Sequence, residues 1–280
     1  MKPKILVLSG GGVRALSFIG SLSVLDASGM LTDIKSYYGV SAGALIIALM
    51  LIGYTIPELV IFLETFDLTR FQHIEVDNLL NVTESLGVDC GDHFIQTLRE
   101  IFESKAVNKA ITFQELYDKT GCEFNIFATN LNKLLPVKLS HKTTPHLQVI
   151  QGLRITMSVP GWLTPVQMPD ANRLLIDGGI YNNYPIVYVP VEERKHVLGI
   201  SIDKTSDECT EITDIASYVT QIISALMYSN INRNYKAQTL FVLVNSIPFL
   251  KFDLSISERK MLLDAGTQSA IKFLSENCEN

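Results

Sequence analysis

Short aliphatic runs and longer helical stretches alternate along the first fifty positions of the chain. Residues 5–8 (ILVL) form a continuous aliphatic run, which is typical of a strand buried on both faces of a sheet. Apolar residues then recur near helical period over residues 15–27, and Gly29 ends that helix. A short strand over residues 34–38 and a helix over residues 44–52 repeat the unit. Successive units of this kind predict βαβ organisation and an α/β fold.

Weaker strand and helix patterns continue toward the C-terminus. The capping pairs Thr112/Glu115 and Ser255/Glu258 each mark the start of a helix. Residues 71–91 show no period and are predicted to be irregular. The remaining predicted helices cover residues 57–66, 93–102, 147–157, 212–230 and 255–274, and the strands cover residues 123–129, 136–140, 174–176, 197–202 and 240–244.

The composition indicates a folded protein with a large core and no nucleic-acid partner. Of the 280 residues, 47% are hydrophobic and 19% are charged, so that disorder is not expected. The net charge is −6, from 23 basic and 29 acidic residues, and Lys and Arg form no long cluster. A surface that binds a nucleic-acid backbone requires such a cluster.

The spacing of the cysteines and the length of the longest apolar stretch indicate the cellular compartment of the protein. Residues 42–53 are the longest apolar stretch, shorter than the roughly 18–20 residues that span a bilayer. The cysteines are widely spaced and form no C-x-x-C pair, so that neither a disulfide framework nor a zinc site is expected. We therefore expect a cytoplasmic protein and leave peripheral membrane contact open. The cysteines are Cys90, Cys122, Cys209 and Cys278.

The first candidate functional stretch is the glycine loop Gly10-Gly11-Gly12, between the first strand and the first helix. Backbone N–H groups in such a loop can point at an anion, so a tight turn, a phosphate cradle and an oxyanion hole are all compatible with it. With Ala15 the loop formally matches a Rossmann fingerprint, but no acidic residue is clearly placed to bind a ribose. A P-loop is excluded, because no Gly-Lys-Ser/Thr follows.

The second candidate is Gly39-Val40-Ser41-Ala42-Gly43, a G-x-S-x-G stretch between a predicted strand and a predicted helix. This context is the one that a nucleophile elbow requires, although the bare pattern also arises by chance in loops of small residues. Only 29 positions separate Gly12 from Ser41, which is one βα unit. Adjacent parallel strands therefore place the glycine loop and the serine at the same carboxyl edge of the sheet, where N–H donors could stabilise an oxyanion.

The third candidate is Asp177-Gly178-Gly179, at the end of a predicted strand. Asp-Gly is common in turns, so a structural role is the simplest interpretation of this stretch alone. A nucleophilic serine needs a base, however, and only His196 follows Asp177 as a histidine base would in the α/β-hydrolase order. His196 precedes a buried strand, directly after Arg194 and Lys195, which is a poor place for a general base. The chain therefore points to Asp177 as the base.

Taken together, a GGGxR loop, a G-x-S-x-G elbow about thirty residues later and a late Asp-Gly-Gly resemble the patatin-like phospholipases. Weaker matches are residues 126–131, 158–161 and 182–185, so that the resemblance covers about the first 205 residues. We accordingly expect a catalytic core over residues 1–205 and a helical and strand extension over residues 206–280, packed on the same domain.

The resemblance implies a three-layer α/β/α fold with a central, mostly parallel sheet, and a Ser–Asp dyad without histidine, metal or cofactor. By position, Ser41 is the nucleophile and Asp177 the base. Gly10, Gly11, Gly12 and Arg14 would supply the oxyanion hole. The chain departs from the family pattern at Ala15, where the family usually has glycine.

The function expected from the resemblance is hydrolysis of fatty-acyl esters in lipids through an acyl-serine intermediate. An acyltransferase with the same dyad and a non-catalytic lipid-binding protein remain alternatives, and a dinucleotide-binding enzyme is a more distant one. Candidate residues for an acyl channel are apolar, and ordinary core is the simpler interpretation of any one of them: Phe62, Phe66, Trp162, Leu163 and Val166.

Overall fold

The computed structural model describes residues 2–74, 82–168, 173–203, 211–229, 233–244 and 247–278. Its strands are β1 (Ile5–Leu8), β2 (Ser36–Gly39), β3 (Gly87–Asp89), β4 (Glu123–Asn130), β5 (Leu135–Leu139), β6 (Gly161–Leu163), β7 (Val166–Met168), β8 (Arg173–Asp177), β9 (Val197–Asp203) and β10 (Thr239–Leu243). Its helices are α1 (Ser17–Ala27), α2 (Ala42–Leu51), α3 (Ile56–Thr65), α4 (Val82–Ser85), α5 (Asp92–Ser104), α6 (Phe113–Thr120), α7 (Val149–Thr156), α8 (Gly179–Asn182), α9 (Ile215–Ser229) and α10 (Ile256–Cys278).

A mixed sheet forms the centre of the described residues, with the strand order β10-β9-β1-β2-β4-β8-β7 and β5 paired to β4. Strands β10, β9, β1, β2 and β4 are mutually parallel, whereas β5 and β8 run antiparallel to β4. The α/β fold with a largely parallel central sheet is therefore confirmed. β4 and β5, which are consecutive along the chain, form an antiparallel hairpin.

Side chains on the two faces of the sheet belong to separate hydrophobic clusters. Leu6 and Leu8 of β1 join the larger cluster, which includes residues of α1, α2 and α7. The alternate residues Ile5 and Val7 pack into a smaller cluster with Ile186, in the 3-10 turn Pro185–Tyr188. Because both faces are covered, the strand has to be aliphatic throughout, as the run ILVL predicts.

The C-terminal part of the chain packs directly on the N-terminal βα unit. β10 adds to the sheet beside β9, and α10 crosses α1 so closely that a Cβ on Gly266 would lie 1.8 Å from the Ser17 carbonyl oxygen. The Ser21 hydroxyl donates to the Gly266 carbonyl at 2.9 Å. β10 and α10 thus contact the N-terminal unit directly, while the expected boundary at residues 205/206 lies outside the described residues.

The prediction that residues 71–91 are irregular is corrected in part. Residues 75–81 of this segment lie outside the described part, but α4 and β3 form within the rest, and β3 pairs in parallel with β6. Asp89 at the end of β3 is buried and accepts the N–H groups of His73 and Gly91, both at 2.7 Å. A strand of three residues is too short to show a hydrophobic period, and the hydrogen bonds of the Asp89 carboxylate fix the backbone around it.

Candidate active site

Ser41 lies at a sharp turn between β2 and α2. Its backbone has φ 51° and ψ −129°, a conformation that glycine adopts easily and that strains a residue with a side chain. The turn passes so close to the first loop that a Cβ on Gly43 would lie 2.3 Å from the Ser9 carbonyl oxygen. The expected strand–turn–helix is therefore present, and position 43 has to be glycine because a larger side chain would clash with the first loop.

We expect Ser41→Gly to be more stable than Ser41→Ala by about 1 kcal/mol, because glycine relieves the backbone strain while alanine retains it. Urea denaturation of the two variants measures this difference. Neither variant keeps the hydroxyl, so the lost hydrogen bond cancels in the comparison. Equal stabilities, or a more stable alanine variant, would contradict strain at this position.

The Ser41 hydroxyl donates a hydrogen bond to Oδ2 of Asp177 at 2.7 Å. The other carboxyl oxygen, Oδ1, accepts the Gly179 N–H at 2.7 Å. The backbone of Asp177 is also fixed, because its carbonyl accepts the Thr129 hydroxyl at 2.8 Å and its N–H donates to the Ser158 carbonyl at 2.9 Å. Asp177 is thus held in one orientation toward the serine.

Burial sets the proton affinity of the Asp177 carboxyl group. The residue is completely inaccessible to solvent, and this burial raises the pKa of Asp177 to about 7. The hydrogen bonds from Ser41 and Gly179 favour the charged form and limit the rise. A carboxyl group with a pKa near 7 is a better proton acceptor than an ordinary aspartate.

The register of β2 and β8 on their shared neighbour β4 explains how Asp177 reaches Ser41, although β8 runs antiparallel to β4. Gly39 of β2 pairs with Ile126 of β4, and Asp177 pairs with Ala128, two residues further along β4. The antiparallel β8 therefore ends just beyond the level at which β2 ends. Its last side chain consequently lies at the height of the serine turn.

The backbone of the serine turn is anchored by a residue that the sequence analysis missed. The Ser41 N–H donates to the Thr156 hydroxyl at 3.0 Å, and this hydroxyl donates to the Phe127 carbonyl at 2.5 Å. Thr156 is the last residue of α7 and is fully buried. A threonine at the end of an apolar helix carries no local pattern that would have indicated this contact.

Gly10 approaches the serine closely, but its N–H group is already in use. This N–H donates to the Asn183 carbonyl at 3.0 Å, and the Asn183 side-chain amide donates back to the Gly10 carbonyl at 3.2 Å. A Cβ on Gly10 would lie 3.3 Å from the Ser41 Cβ. Gly10 thus leaves room beside the serine, and the expectation that its amide is an oxyanion donor is corrected.

The rest of the glycine loop is organised around Gly11 and Gly12. Among the described residues, neither of their N–H groups has a hydrogen-bond acceptor. Arg14 closes the loop, since its N–H donates to the Gly11 carbonyl at 3.1 Å and its Nε donates to the Ile247 carbonyl at 2.5 Å. The arginine thereby ties the loop to the segment after β10. Ala15 lies in the 3-10 turn Gly12–Leu16, outside the positive-φ region, so this position needs no glycine.

Comparison with known families gives a match over most of the chain. The family model described as patatin-like phospholipase matches residues 6–189, which contain both Ser41 and Asp177. The chain belongs to the patatin-like phospholipase family. The resemblance inferred from the three motifs is therefore confirmed.

Individual relatives of this patatin-like chain agree with that assignment. The probable lipid hydrolase 463L of Invertebrate iridescent virus 6 is 28% identical, over 99% of this chain and 92% of its own. The neuropathy target esterase sws of Drosophila melanogaster is 24% identical over 76% of this chain but only 13% of its own. Family membership and the lipid hydrolase relative support lipid hydrolysis.

Solved structures show the same fold at low sequence identity. VipD from Legionella pneumophila superposes with a TM-score of 0.64 at 15% identity, covering 99% of this chain and 67% of VipD. The type III effector ExoU gives a TM-score of 0.57 at 15% identity, covering 99% of this chain and 53% of ExoU.

Across the described part of the patatin-like chain, each helix is too short or too polar to cross a bilayer.

The serine contributes to the lining of an apolar cavity in the patatin-like fold. Its lining includes Ser41, Gly12, Trp162 and Leu163 together with aliphatic and aromatic side chains, and charged residues are absent from the described part of that lining. Phe62 and Phe66, two other expected channel residues, instead stack on each other in the core with ring centres 4.4 Å apart, and Val166 also lies outside the lining. The further lining residues are Val13, Leu16, Ala42, Leu45, Leu68, Phe71, Phe94, Met157, Val159, Leu250 and Phe252.

His196 lies far from this cavity, at the opposite edge of the sheet. Its carbonyl accepts the Lys4 N–H at 2.9 Å, before the first residues of β1 and β9 pair at Ile5 and Val197. A base at the amino edge cannot reach a serine at the carboxyl edge. This placement agrees with the choice of Asp177 rather than His196.

Proposed function

We propose that this protein is a serine hydrolase that cleaves fatty-acyl ester bonds of lipids through an acyl-Ser41 intermediate. The observation that carries the proposal is the 2.7 Å hydrogen bond between Ser41 and Asp177 at the wall of an apolar cavity. A lipid acyl chain fits such a lining chemically, because its burial there removes apolar surface from water. Its carbonyl carbon would then lie beside the serine hydroxyl.

In the first proposed step, the Ser41 oxygen attacks the ester carbonyl while its proton passes to Oδ2 of Asp177. The carbonyl oxygen becomes an oxyanion, which the N–H groups of Gly11 and Gly12 stabilise. The C–O bond to the alcohol then breaks, and the alcohol leaves with the proton that Asp177 had accepted. Gly10 leaves room for the tetrahedral carbon, and Arg14 positions the loop.

In the second step, a water molecule gives a proton to Asp177 and attacks the acyl-Ser41 carbonyl. The fatty acid is released and Asp177 returns the proton to the Ser41 oxygen. Both steps use only groups of the chain, the ester and water, so the proposal requires no metal and no cofactor. The lipid ester is the proposed partner, reached from the cytoplasm by peripheral contact with a membrane.

We expect kcat/KM for a water-soluble p-nitrophenyl ester to rise with pH through about 7, the pKa of Asp177. The carboxylate is the form that accepts the serine proton, so the rate should fall by about tenfold per pH unit well below this pKa. Steady-state rates between pH 5 and 9 measure the profile. A rate already maximal at pH 5 would show that the active base has an ordinary carboxyl pKa, or is another group.

An acyltransferase is the second candidate function, since the acyl-Ser41 intermediate reacts equally with an alcohol if water is excluded. The apolar lining of the cavity favours this alternative. Incubation with a lipid ester and increasing glycerol or lysolipid, followed by product analysis, separates the two. Acylated acceptor in place of free fatty acid would identify a transferase. Lipid binding without any turnover would identify a non-catalytic lipid-binding protein.

A further inference from the structure

Helix α9 (Ile215–Ser229) is the longest described helix without a charged side chain. Among the described helices of ten or more residues, only α2 shares this composition, and α2 is buried along nearly its whole length. The other long surface helix, α10, carries acidic and basic residues on its solvent side. A surface helix normally places charged and polar residues on its solvent side, so the exposed apolar residues of the uncharged helix α9 require an explanation.

The inner face of α9 packs on residues that neighbour the serine and the aspartate. Ile223 and Met227 are buried in a cluster with Val159 and Phe249. The terminal methyl of Met227 lies 2.8 Å from the position that a Cβ on Gly179 would take, next to the amide that binds Asp177. Since Val159 also lines the apolar cavity, α9 packs directly against the site.

The outer face of α9 presents apolar side chains to solvent. Tyr218 is 51% exposed, Ile222 44% and Leu226 43%, and these residues recur at intervals of four along one side of the helix. Val219 extends this face toward the cavity, because its Cγ1 lies 3.8 Å from a Cβ built on Gly161, beside Trp162. The exposed face and the cavity lining thus form adjoining apolar surfaces.

We propose that the outer face of α9, defined by Tyr218, Val219, Ile222 and Leu226, docks on the surface of a lipid bilayer. The inference rests on the proposed function, which requires the protein to meet substrates that reside in membranes. A bilayer covers apolar side chains that water solvates poorly, and the tyrosine has an apolar ring with a polar tip suited to the interface. Docking there places the cavity that Ser41 and Trp162 line next to the membrane contact.

Charge around the helix specifies which kind of bilayer fits. Asp214 caps the N-terminus of α9 by accepting the Ser217 N–H at 2.7 Å, and Glu211 lies exposed just before it. The net charge of the chain is −6. Acidic groups at this edge repel anionic headgroups, so the contact should be apolar and favour zwitterionic phosphatidylcholine.

The test measures binding of the Ser41→Ala protein to phosphatidylcholine vesicles by co-sedimentation, with and without Ile222→Asp/Leu226→Asp. We expect the double substitution to weaken binding by at least about tenfold, because two apolar side chains can no longer enter the interface. Binding before substitution should change less than about twofold between roughly 0.05 and 0.5 M salt. The matched control, Ile61→Asp/Ile271→Asp, alters two similarly exposed helical residues (56% and 49%) on α3 and α10, and should leave binding unchanged.

Equal binding with and without the α9 substitutions would overturn the proposal, as would absence of vesicle binding before substitution. Sedimentation velocity without lipid provides a second criterion. A dimer that the α9 substitutions convert to a monomer would show that a second copy of the chain covers this face instead, which also overturns it.

Vesicle binding by the Ser41→Ala protein does not depend on turnover, so its failure is distinguishable from failure of the proposed function. In the active protein, the α9 substitutions should reduce hydrolysis of vesicle lipid about as strongly as they reduce binding. They should leave kcat/KM for a monomeric soluble ester within about twofold. Loss of both activities to the same degree would assign α9 a structural role and contradict docking.

Discussion

Ser41→Ala is expected to lower kcat/KM for ester hydrolysis by at least about 10⁴-fold, with the fold retained. The hydroxyl is the group that forms the covalent bond in the proposed mechanism, and alanine has no atom that replaces it. The backbone strain at position 41 is the same for alanine as for serine, so the turn should persist. Steady-state rates with a soluble ester, together with circular dichroism, measure both parts of the expectation.

Ser21→Ala is a suitable control, because it makes the same chemical change at another buried serine. The Ser21 hydroxyl donates to the Gly266 carbonyl between α1 and α10, away from the apolar cavity. We expect this variant to keep turnover within a few-fold, with a stability loss of about 1 kcal/mol. If Ser41→Ala has the same kcat/KM as the Ser21→Ala control, Ser41 is not the nucleophile.

Asp177→Asn is expected to lower kcat/KM by about 10³- to 10⁴-fold, the scale seen when an acidic member of a catalytic unit is made neutral. An asparagine amide cannot accept the Ser41 proton. It preserves the shape of the site, because its oxygen can accept the Gly179 N–H while its nitrogen donates to the Ser41 oxygen. Near-normal turnover would assign the base to a different group.

The same substitution has a second expected effect, on stability, which distinguishes loss of chemistry from loss of fold. The folded-state pKa of Asp177, about 7, lies above the ordinary aspartate value of 3.8. As pH rises from about 4 to 7, the unfolded chain loses this proton first, so the wild type loses stability through this window and not below it. Asparagine has no such titration.

We therefore expect the stability of Asp177→Asn relative to wild type to rise by roughly 2–4 kcal/mol between pH 4 and pH 8. Urea denaturation at the two pH values measures this change. A constant difference would show that the carboxyl group has an ordinary pKa in the folded protein. An inactive variant that is more stable than wild type at pH 8 would exclude unfolding as the cause of lost activity.

The local part of the site could be predicted from the sequence because it lies within two neighbouring βα units. The aliphatic run of β1, the glycine loop and the serine turn are separated by so few residues that parallel pairing fixes their relative positions. Gly39 and Leu8 indeed pair across adjacent strands. The position of Ser41 beside the glycine loop therefore followed from spacing alone.

The position of Asp177 could not follow from spacing in the same way. It lies 136 residues after Ser41, at the end of a strand that runs antiparallel to its neighbour. No local pattern reveals strand direction over such a distance, so Asp177 was indicated only by the elimination of His196 as a base and by the resemblance to a family. The roles of Thr156 and Asn183 were missed for a related reason, since each acts through a backbone contact made only in the folded chain.

The assignment of Ser41 as the nucleophile is tested most directly by labelling with a fluorophosphonate probe. Intact mass measures the adducts on the wild type and on Ser41→Ala. The phosphorus reacts only with a serine oxygen that a neighbouring base can deprotonate, so labelling reports activation without requiring the right lipid. We predict a single adduct on the wild type and none on Ser41→Ala. An unlabelled, folded wild type, or an adduct that persists in Ser41→Ala, would contradict the assignment of Ser41 as the nucleophile.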